Sequence, residues 1–221
     1  MHQSITIISH ERTGTMRKLI VANIISLDGC YEGPDRNVMS LPMDEAFDIY
    51  NAERLAEADT MLLGRATYEL FRGFWPTVAE QIDLLSSLSP AGREANLAIG
   101  RRMDVIDKVV VSNTLQPESP GAWQRPITVV DRANIHDTID TLKQRHGKDI
   151  IVFGSRTLWT DLLAHGLVDE VHIMIGAVML GGGTPVFEHR HPASFELIGT
   201  RTWDSSDNVV LKYRPRPSPS T

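Results

Sequence analysis

The chain has 221 residues, a formal net charge of −6, 42% hydrophobic and 23% charged residues. Such a length supports one folded domain whose core needs neither metal nor disulfide. The acidic balance argues against a general nucleic-acid or anionic-membrane binder. The only cysteine, Cys30, rules out an intrachain disulfide, and no Cys/His cluster has zinc spacing, so no metal is expected. No apolar run approaches the roughly 18 residues of a membrane span, and the first residues lack a signal-like leader. The expectation is a cytoplasmic protein.

Residues 1–16 read as a flexible extension, with Met16-Arg17-Lys18 as a second possible start. Leu19 to Ile25 is a short, β-branched run typical of a buried strand, ended by Ser26-Leu27-Asp28-Gly29. The stretch from Cys30 to Ser40 has no periodicity and reads as a loop of the kind that forms lids. Leu41-Pro42-Met43-Asp44 opens a helix to about Ala58, with Asp44 and Glu45 where the helix dipole favours acids. Asp59 to Leu63 is a second strand, followed by Gly64-Arg65 and a short helix over Thr67 to Phe71. A helix from Arg93 to Met103 leads into a third strand, Lys108 to Val111, and Ile127 to Val130 is a fourth. Asn134 to His146 reads as a helix capped by Gly147, and Asp149 to Phe153 as a fifth strand before Gly154-Ser155. Arg156 to His165 is helical, Val168 to Met179 is a long apolar strand near the sheet edge, and Phe195 to Thr200 and Val209 to Tyr213 are late strands.

This alternation predicts an α/β fold with a mostly parallel sheet finishing in antiparallel strands joined by short loops. The folded domain spans residues 17–213, and residues 214–221 read as a disordered Pro-rich tail.

Three strand ends carry small or polar residues: Gly64-Arg65 with Thr67, Ser112-Asn113-Thr114, and Gly154-Ser155-Arg156. Ligands of open parallel sheets bind beyond such carboxyl ends. Two of these ends precede helices, whose free N–H groups suit phosphates. Arg65 offers a further phosphate partner, which favours NADPH over NADH.

Other stretches resemble known reductases. Leu41-Pro42-Met43-Asp44 and Gly64-Arg65-Ala66-Thr67-Tyr68-Glu69 resemble dihydrofolate reductase. Ser26-Leu27-Asp28-Gly29, Gly166-Leu167-Val168-Asp169-Glu170-Val171 and Leu180-Gly181-Gly182-Gly183-Thr184-Pro185-Val186-Phe187 resemble the reductase domain of bacterial riboflavin biosynthesis. The resemblance covers residues 17 to 213 and implies a dihydrofolate-reductase-like three-layer fold that binds NADPH. It implies that Gly64, Arg65 and Thr67 face phosphates of the adenosine half, that Ser112 lies near the 2′-phosphate, that Gly154, Ser155, Arg156 and Leu158 cradle the pyrophosphate, and that Ala22 meets the nicotinamide. Asp44 occupies the place of the substrate-binding carboxylate of dihydrofolate reductase, and Asp28 is the acidic residue shared with the riboflavin branch. One cysteine cannot supply the zinc motif of the deaminase domain often joined to that branch.

The implied activity is NADPH-dependent hydride transfer to a C=N or C=O bond of a small heterocycle of the riboflavin-pathway type, with Asp44, then Asp28, as candidate catalytic carboxylates. The alternatives are dihydrofolate reduction, or a silent NADPH-binding protein. His136, His146, His165 and His172 read as surface or satisfied core residues. A homodimer is expected, from related reductases and from the apolar strand placed near the edge.

Overall fold

The computed structural model describes residues 16–116, 121–187 and 193–216. The expected extension and most of the expected tail lie outside them. The strand with the steadiest apolar run is the central one: β1 (Leu19–Ser26) is buried along its whole length. It is flanked on both sides by parallel neighbours, β6 (Asp149–Phe153) and β7 (Glu170–Gly176). A strand covered above, below and at both edges has no polar face to show, which is why it reads as LIVANII rather than as an alternation.

The eight-stranded sheet runs β5-β4-β3-β6-β1-β7-β10-β9. Its other members are β3 (Ala58–Gly64), β4 (Asp107–Val111), β5 (Ile127–Val130), β9 (Phe195–Trp203) and β10 (Ser206–Pro215). Neighbours from β5 through β7 are parallel, and β10 and β9 are antiparallel. Helices cover both faces. Ile135 and Ile139 of α5 (Ile135–Gln144) and Trp159 and Leu162 of α6 (Arg156–Ala164) pack with Leu19, Val21, Ile150 and Val152. On the other face Leu55 of α1 (Glu45–Glu57), Tyr68 of α2 (Arg65–Arg72) and Ile99 and Met103 of α4 (Pro90–Val105) pack with Ile20, Met61, Leu63 and Ile151. Alternate residues of one strand therefore feed two cores, each fully buried aliphatic side chain contributing about 1.5–3 kcal/mol. A short helix α3 (Ile82–Ser87) precedes α4.

Five expectations change. The strand expected near the sheet edge is interior, since β7 lies between β1 and β10, and the edges are β5 and β9. An apolar strand is equally what a doubly flanked position requires, so hydrophobicity alone misplaced it, and the edge argument for a dimer falls. The stretch from Cys30 to Ser40 contains a strand, β2 (Cys30–Glu32), which pairs with β8 (Thr184–Pro185) from the long β7–β9 connection. That connection spans residues 177–194 and is not short. Helix α5 ends at Gln144 with Arg145 as its C-cap. The Leu142 carbonyl accepts from the Arg17 guanidinium at 3.3 Å, and Gly147 is small because a Cβ there would lie 3.0 Å from Arg17 Nε. Finally, β10 continues to Pro215, with Arg214 opposite Glu196, where the tail was expected to begin.

Arg17 is 6% exposed and works as a clamp. It donates to the Lys148 carbonyl at 2.7 Å and to Thr60 Oγ1 at 2.6 Å, and it pairs with Asp59. A second polar chain runs inward from the exposed Lys18 to the buried His172 and Tyr50. Lys18 Nζ lies 2.8 Å from Glu170 Oε1, Glu170 Oε2 lies 3.0 Å from His172 Nε2, and His172 Nδ1 lies 2.8 Å from the Tyr50 hydroxyl. The hydrogen bond from His172, with help from Lys18, holds the Glu170 carboxyl down at about 2. Burial holds the His172 ring below its ordinary value, hence neutral. The ionised Glu170 therefore accepts from Nε2–H, and Nδ1 accepts from Tyr50. The lone-histidine reading of His172 as a satisfied core residue agrees with this.

Candidate functional site

The carboxyl ends of β3 and β6 meet in a pair of turns locked to each other. Gly64 ends β3 and serves as the N-cap of α2, where it has no side chain to occupy the first helical amides. Its own N–H donates to Ser155 Oγ at 2.9 Å, and the Ser155 N–H donates back to Thr67 Oγ1 at 3.0 Å. Gly154 and Ser155 are both left-handed, at φ +56° and +54°. For Ser155, which carries a Cβ, that conformation costs about 1–2 kcal/mol, and the two crossed hydrogen bonds offset it. Because its hydroxyl is taken by Gly64, Ser155 does not cap α6 with its side chain; the Arg156 backbone at the start of that helix hydrogen-bonds the Tyr31 phenol instead.

Gly154 is the tightest point. An added Cβ would sit 2.9 Å from Thr67 Cγ2 and 3.1 Å from the Tyr31 hydroxyl. Asn23 of β1 holds the Gly154 carbonyl through Nδ2 at 3.3 Å. Burial, with a smaller contribution from Glu32, pushes the Tyr31 phenol up to about 12, so it stays protonated beside Thr67. Tyr31 reaches this place because β2 is pinned to β8. Cys30 stands opposite Pro185, and Thr184 Oγ1 donates to Glu32 at 2.7 Å.

Next to these turns, beyond the ends of β3, β4 and β5, lies a cleft of about 220 Å³ lined by Arg65, Val111, Ser112, Asn113, Thr114 and Arg132. Arg65 donates to Thr114 Oγ1 at 2.7 Å and pairs with Glu69 at 2.7 Å. Asn113 Oδ1 accepts from the Arg132 N–H at 2.9 Å, which fixes the start of the turn carrying that guanidinium. Two guanidiniums against one carboxylate, with hydroxyls between, form an anion-binding donor set. Ser112 Oγ accepts from the N–H groups of Thr114 and Leu115, so it shapes the turn as well as lining the cleft.

The sequence-predicted residues thus fall into groups. Gly64, Thr67, Gly154 and Ser155 are joined by hydrogen bonds or close approach, and Arg65 and Ser112 line the adjoining cleft. Arg156 opens α6, while Leu158 is turned partly into the core. Ala22 is buried mid-strand, opposite Phe153 and His172. Asp44 caps α1, accepting from Phe47 N–H at 3.1 Å and from Ser206 Oγ at 2.5 Å. Asp28 accepts from Ser26 Oγ, Leu180 N–H and Gly181 N–H, and these bonds, the Ser26 hydroxyl first, hold its carboxyl below the usual range.

Sequence reading missed Tyr31, Asn23, Arg132 and Asp48. Arg132 was findable as a base just past the strand next to Ser112. Tyr31 and Asn23 carry no local signal, because only the β2–β8 pairing and the β1–β6 register bring them in. Asp48 lies one turn after Asp44 and accepts from Asn96 Nδ2 at 2.7 Å. Burial, then the nearby Asp44 and Glu45, raises its carboxyl to about 6. Between about pH 4 and pH 6 the folded chain therefore holds a proton there that the unfolded chain has lost, and stability falls as pH rises through that window. Asp48→Asn keeps an acceptor for Asn96 and is expected to add about 1–2 kcal/mol at pH 7.5, flattening this slope. Urea melts of both proteins from pH 4 to 7.5 check it; equal slopes would remove Asp48 as the source.

The parallel sheet with two antiparallel closing strands, its helices on both faces and its site at the carboxyl edge define a dihydrofolate-reductase-like α/β protein. Solved structures agree. A putative riboflavin biosynthesis protein from Shewanella sp. PV-4 superposes with a TM-score of 0.61 at 19% identity, covering 90% of this chain and 99% of that one. Dihydrofolate reductase from Enterococcus faecalis, complexed with NADP(H), superposes with a TM-score of 0.54 at 13% identity, covering 90% and 96%. The chain belongs to the RibD C-terminal domain family, whose pattern it matches over residues 17–211. Among curated proteins it is 27% identical to YyaP of Bacillus subtilis over 198 residues, covering 89% of this chain and 94% of that one. Among the described residues, no helix is long and apolar enough to cross a membrane.

Proposed function

We propose that this protein is an NADPH-dependent reductase acting on a small heterocyclic substrate of the riboflavin-pathway type. The observation that carries the reading is the pair of interlocked turns, Gly64 with Thr67 and Gly154 with Ser155, opening beside the Arg65–Arg132 cleft. Two neighbouring helix N-termini suit a pyrophosphate, and a separate cleft with two guanidiniums suits a further phosphate monoester. The donor set therefore fits NADPH. Gly64, Thr67, Gly154, Ser155 and Arg156 would hold its pyrophosphate region, and Arg65, Ser112, Thr114 and Arg132 its extra phosphate.

Bound NADPH supplies a hydride for a C=N or C=O bond. The chain's own contribution is position and proton supply. In this reading Asp44 is the carboxylate that orients the substrate ring, since each of its oxygens keeps a lone pair beyond its present bond. Asp48, one turn further along the same helix with its carboxyl raised to about 6, would exchange a proton just below neutral pH. Asp28 is assigned to holding the Leu180–Gly181 turn, where its hydrogen bonds are already made.

Thermal-shift titration with NADPH and NADH tests the cofactor, and NADPH absorbance with pterin and pyrimidine substrates tests turnover. NADPH at about 100 times its Kd is expected to stabilise by about 2.7 kcal/mol, with NADH far weaker. Arg65→Ala and Arg132→Ala should each lower NADPH affinity about tenfold while leaving NADH unchanged. No shift with either nucleotide would overturn the reading. A shift without turnover of any substrate would reduce it to nucleotide binding alone.

A further inference from the structure

Away from the cleft, three side chains from two helices converge on the surface. His136 lies in the first turn of α5; Asp161 lies in the last turn of α6, and His165 caps its C-terminus. Asp161 and His165 are spaced i, i+4 and so project from one face of α6. His136 Nε2 is 2.8 Å from Asp161 Oδ2; His165 Nδ1 donates to the Asp161 main-chain carbonyl at 2.8 Å, 3.7 Å from Asp161 Oδ1, which leaves Nε2 as the ligand atom of His165. The two imidazole rings lie face to face, 4.1 Å between centroids and tilted by 34°. One ligand atom from each residue falls within 4.8 Å of the others. The sequence hides this, because the histidines come from different helices and match no zinc spacing.

An ordinary surface ion pair needs one histidine and one carboxylate. Here a second imidazole stacks beside the first at the same carboxylate without a hydrogen bond to it. A cation between them would take one ligand atom from each of the three residues, which already lie within 4.8 Å of one another. We propose that His136, Asp161 and His165 form a binding site for a divalent transition cation of the zinc class, clipping α5 to α6. Two nitrogens and one oxygen suit Zn²⁺ or Ni²⁺ rather than Mg²⁺ or Ca²⁺, which take oxygen shells. Water completes the coordination, because the side chains are 37%, 48% and 51% exposed. Drawing the ligand atoms in to the roughly 3.3 Å separations of a tetrahedral zinc site needs only rotation of exposed side chains. The clip holds the end of α6 opposite its Ser155–Arg156 start, so it is structural and independent of the reductase reading.

The test is calorimetric titration of untagged, chelator-treated full-length protein with ZnCl₂, with MgCl₂ in parallel and thermal shift as a second readout. One Zn²⁺ per chain is expected, with a rise in Tm that EDTA reverses and no response to Mg²⁺. His136→Ala, His165→Ala and Asp161→Asn should each weaken Zn²⁺ binding at least about tenfold, while His146→Ala leaves it unchanged. His136→Gln serves as a milder variant if the alanine form unfolds. Absence of Zn²⁺ uptake, an equal response to Mg²⁺, or Zn²⁺ affinity unchanged in the His136 and His165 variants would each overturn the proposal.

Discussion

Arg17→Met is expected to destabilise the fold by about 3 kcal/mol, which for a domain of this size lowers Tm by about 6–12 °C. Methionine replaces the volume and removes the donors. The Lys148 and Leu142 carbonyls and Thr60 Oγ1 then lose a partner, and Asp59 loses its ion pair. Asp59 keeps the Lys148 N–H at 2.7 Å and is partly exposed, which holds the cost below that of a fully buried broken pair. Urea unfolding of Arg17→Met, Asp59→Asn and the double variant measures the coupling. If Arg17→Met costs under about 1 kcal/mol, the clamp is idle. A consequence for expression follows: a chain started at Met16 retains the clamp, whereas one trimmed past Arg17 loses it.

Gly154→Ala is the second large effect. The backbone there is left-handed, and the new Cβ would press on Thr67 and the Tyr31 hydroxyl. The expected cost is about 2–3 kcal/mol of stability, from the conformation and the crowding together. Displacing Thr67 also breaks its bond from Ser155 N–H, which sets the second turn. NADPH affinity should therefore fall about 100-fold, close to 2.7 kcal/mol. Thermal-shift titration at a temperature where the variant remains folded checks this. Binding as tight as in the unaltered chain would show that phosphates do not sit at these turns.

Much of this architecture was legible because its signals are local. Apolar runs gave β1, β3, β4, β5 and β6 nearly to the residue, and Gly64 and Gly154 stood where strand met helix. The family-specific glycine run after Leu180 was equally legible, although its mechanical part was not. It passes close enough to β2 that a Cβ on Gly183 would strike the Glu32 carbonyl, so the supposed open loop is a tied ribbon. What sequence could not give was adjacency. Strand position is a property of partners far along the chain, so the apolar β7 looked like an edge. Tyr31 enters the site through the pairing of β2 with the distant β8, and His136 meets His165 only because α5 and α6 lie on the same face. Asp48 showed as an ordinary charged position on α1, because its burial depends on α4.

The central position of β1 also bears on how the chain comes into being. Leu19 pairs with Ile150, and Ile20 with Glu170. The central strand is thus made well before either of its two neighbours. At about 5–20 residues per second, β1 waits roughly six to twenty-five seconds on the ribosome before either partner has been synthesised. Until then β3, β4 and their helices can pair among themselves, but the middle of the sheet stays open. Completion of the sheet is therefore governed by distant contacts, and a nascent chain stalled before residue 150 presents an unpaired hydrophobic strand to whatever chaperone or second chain reaches it first.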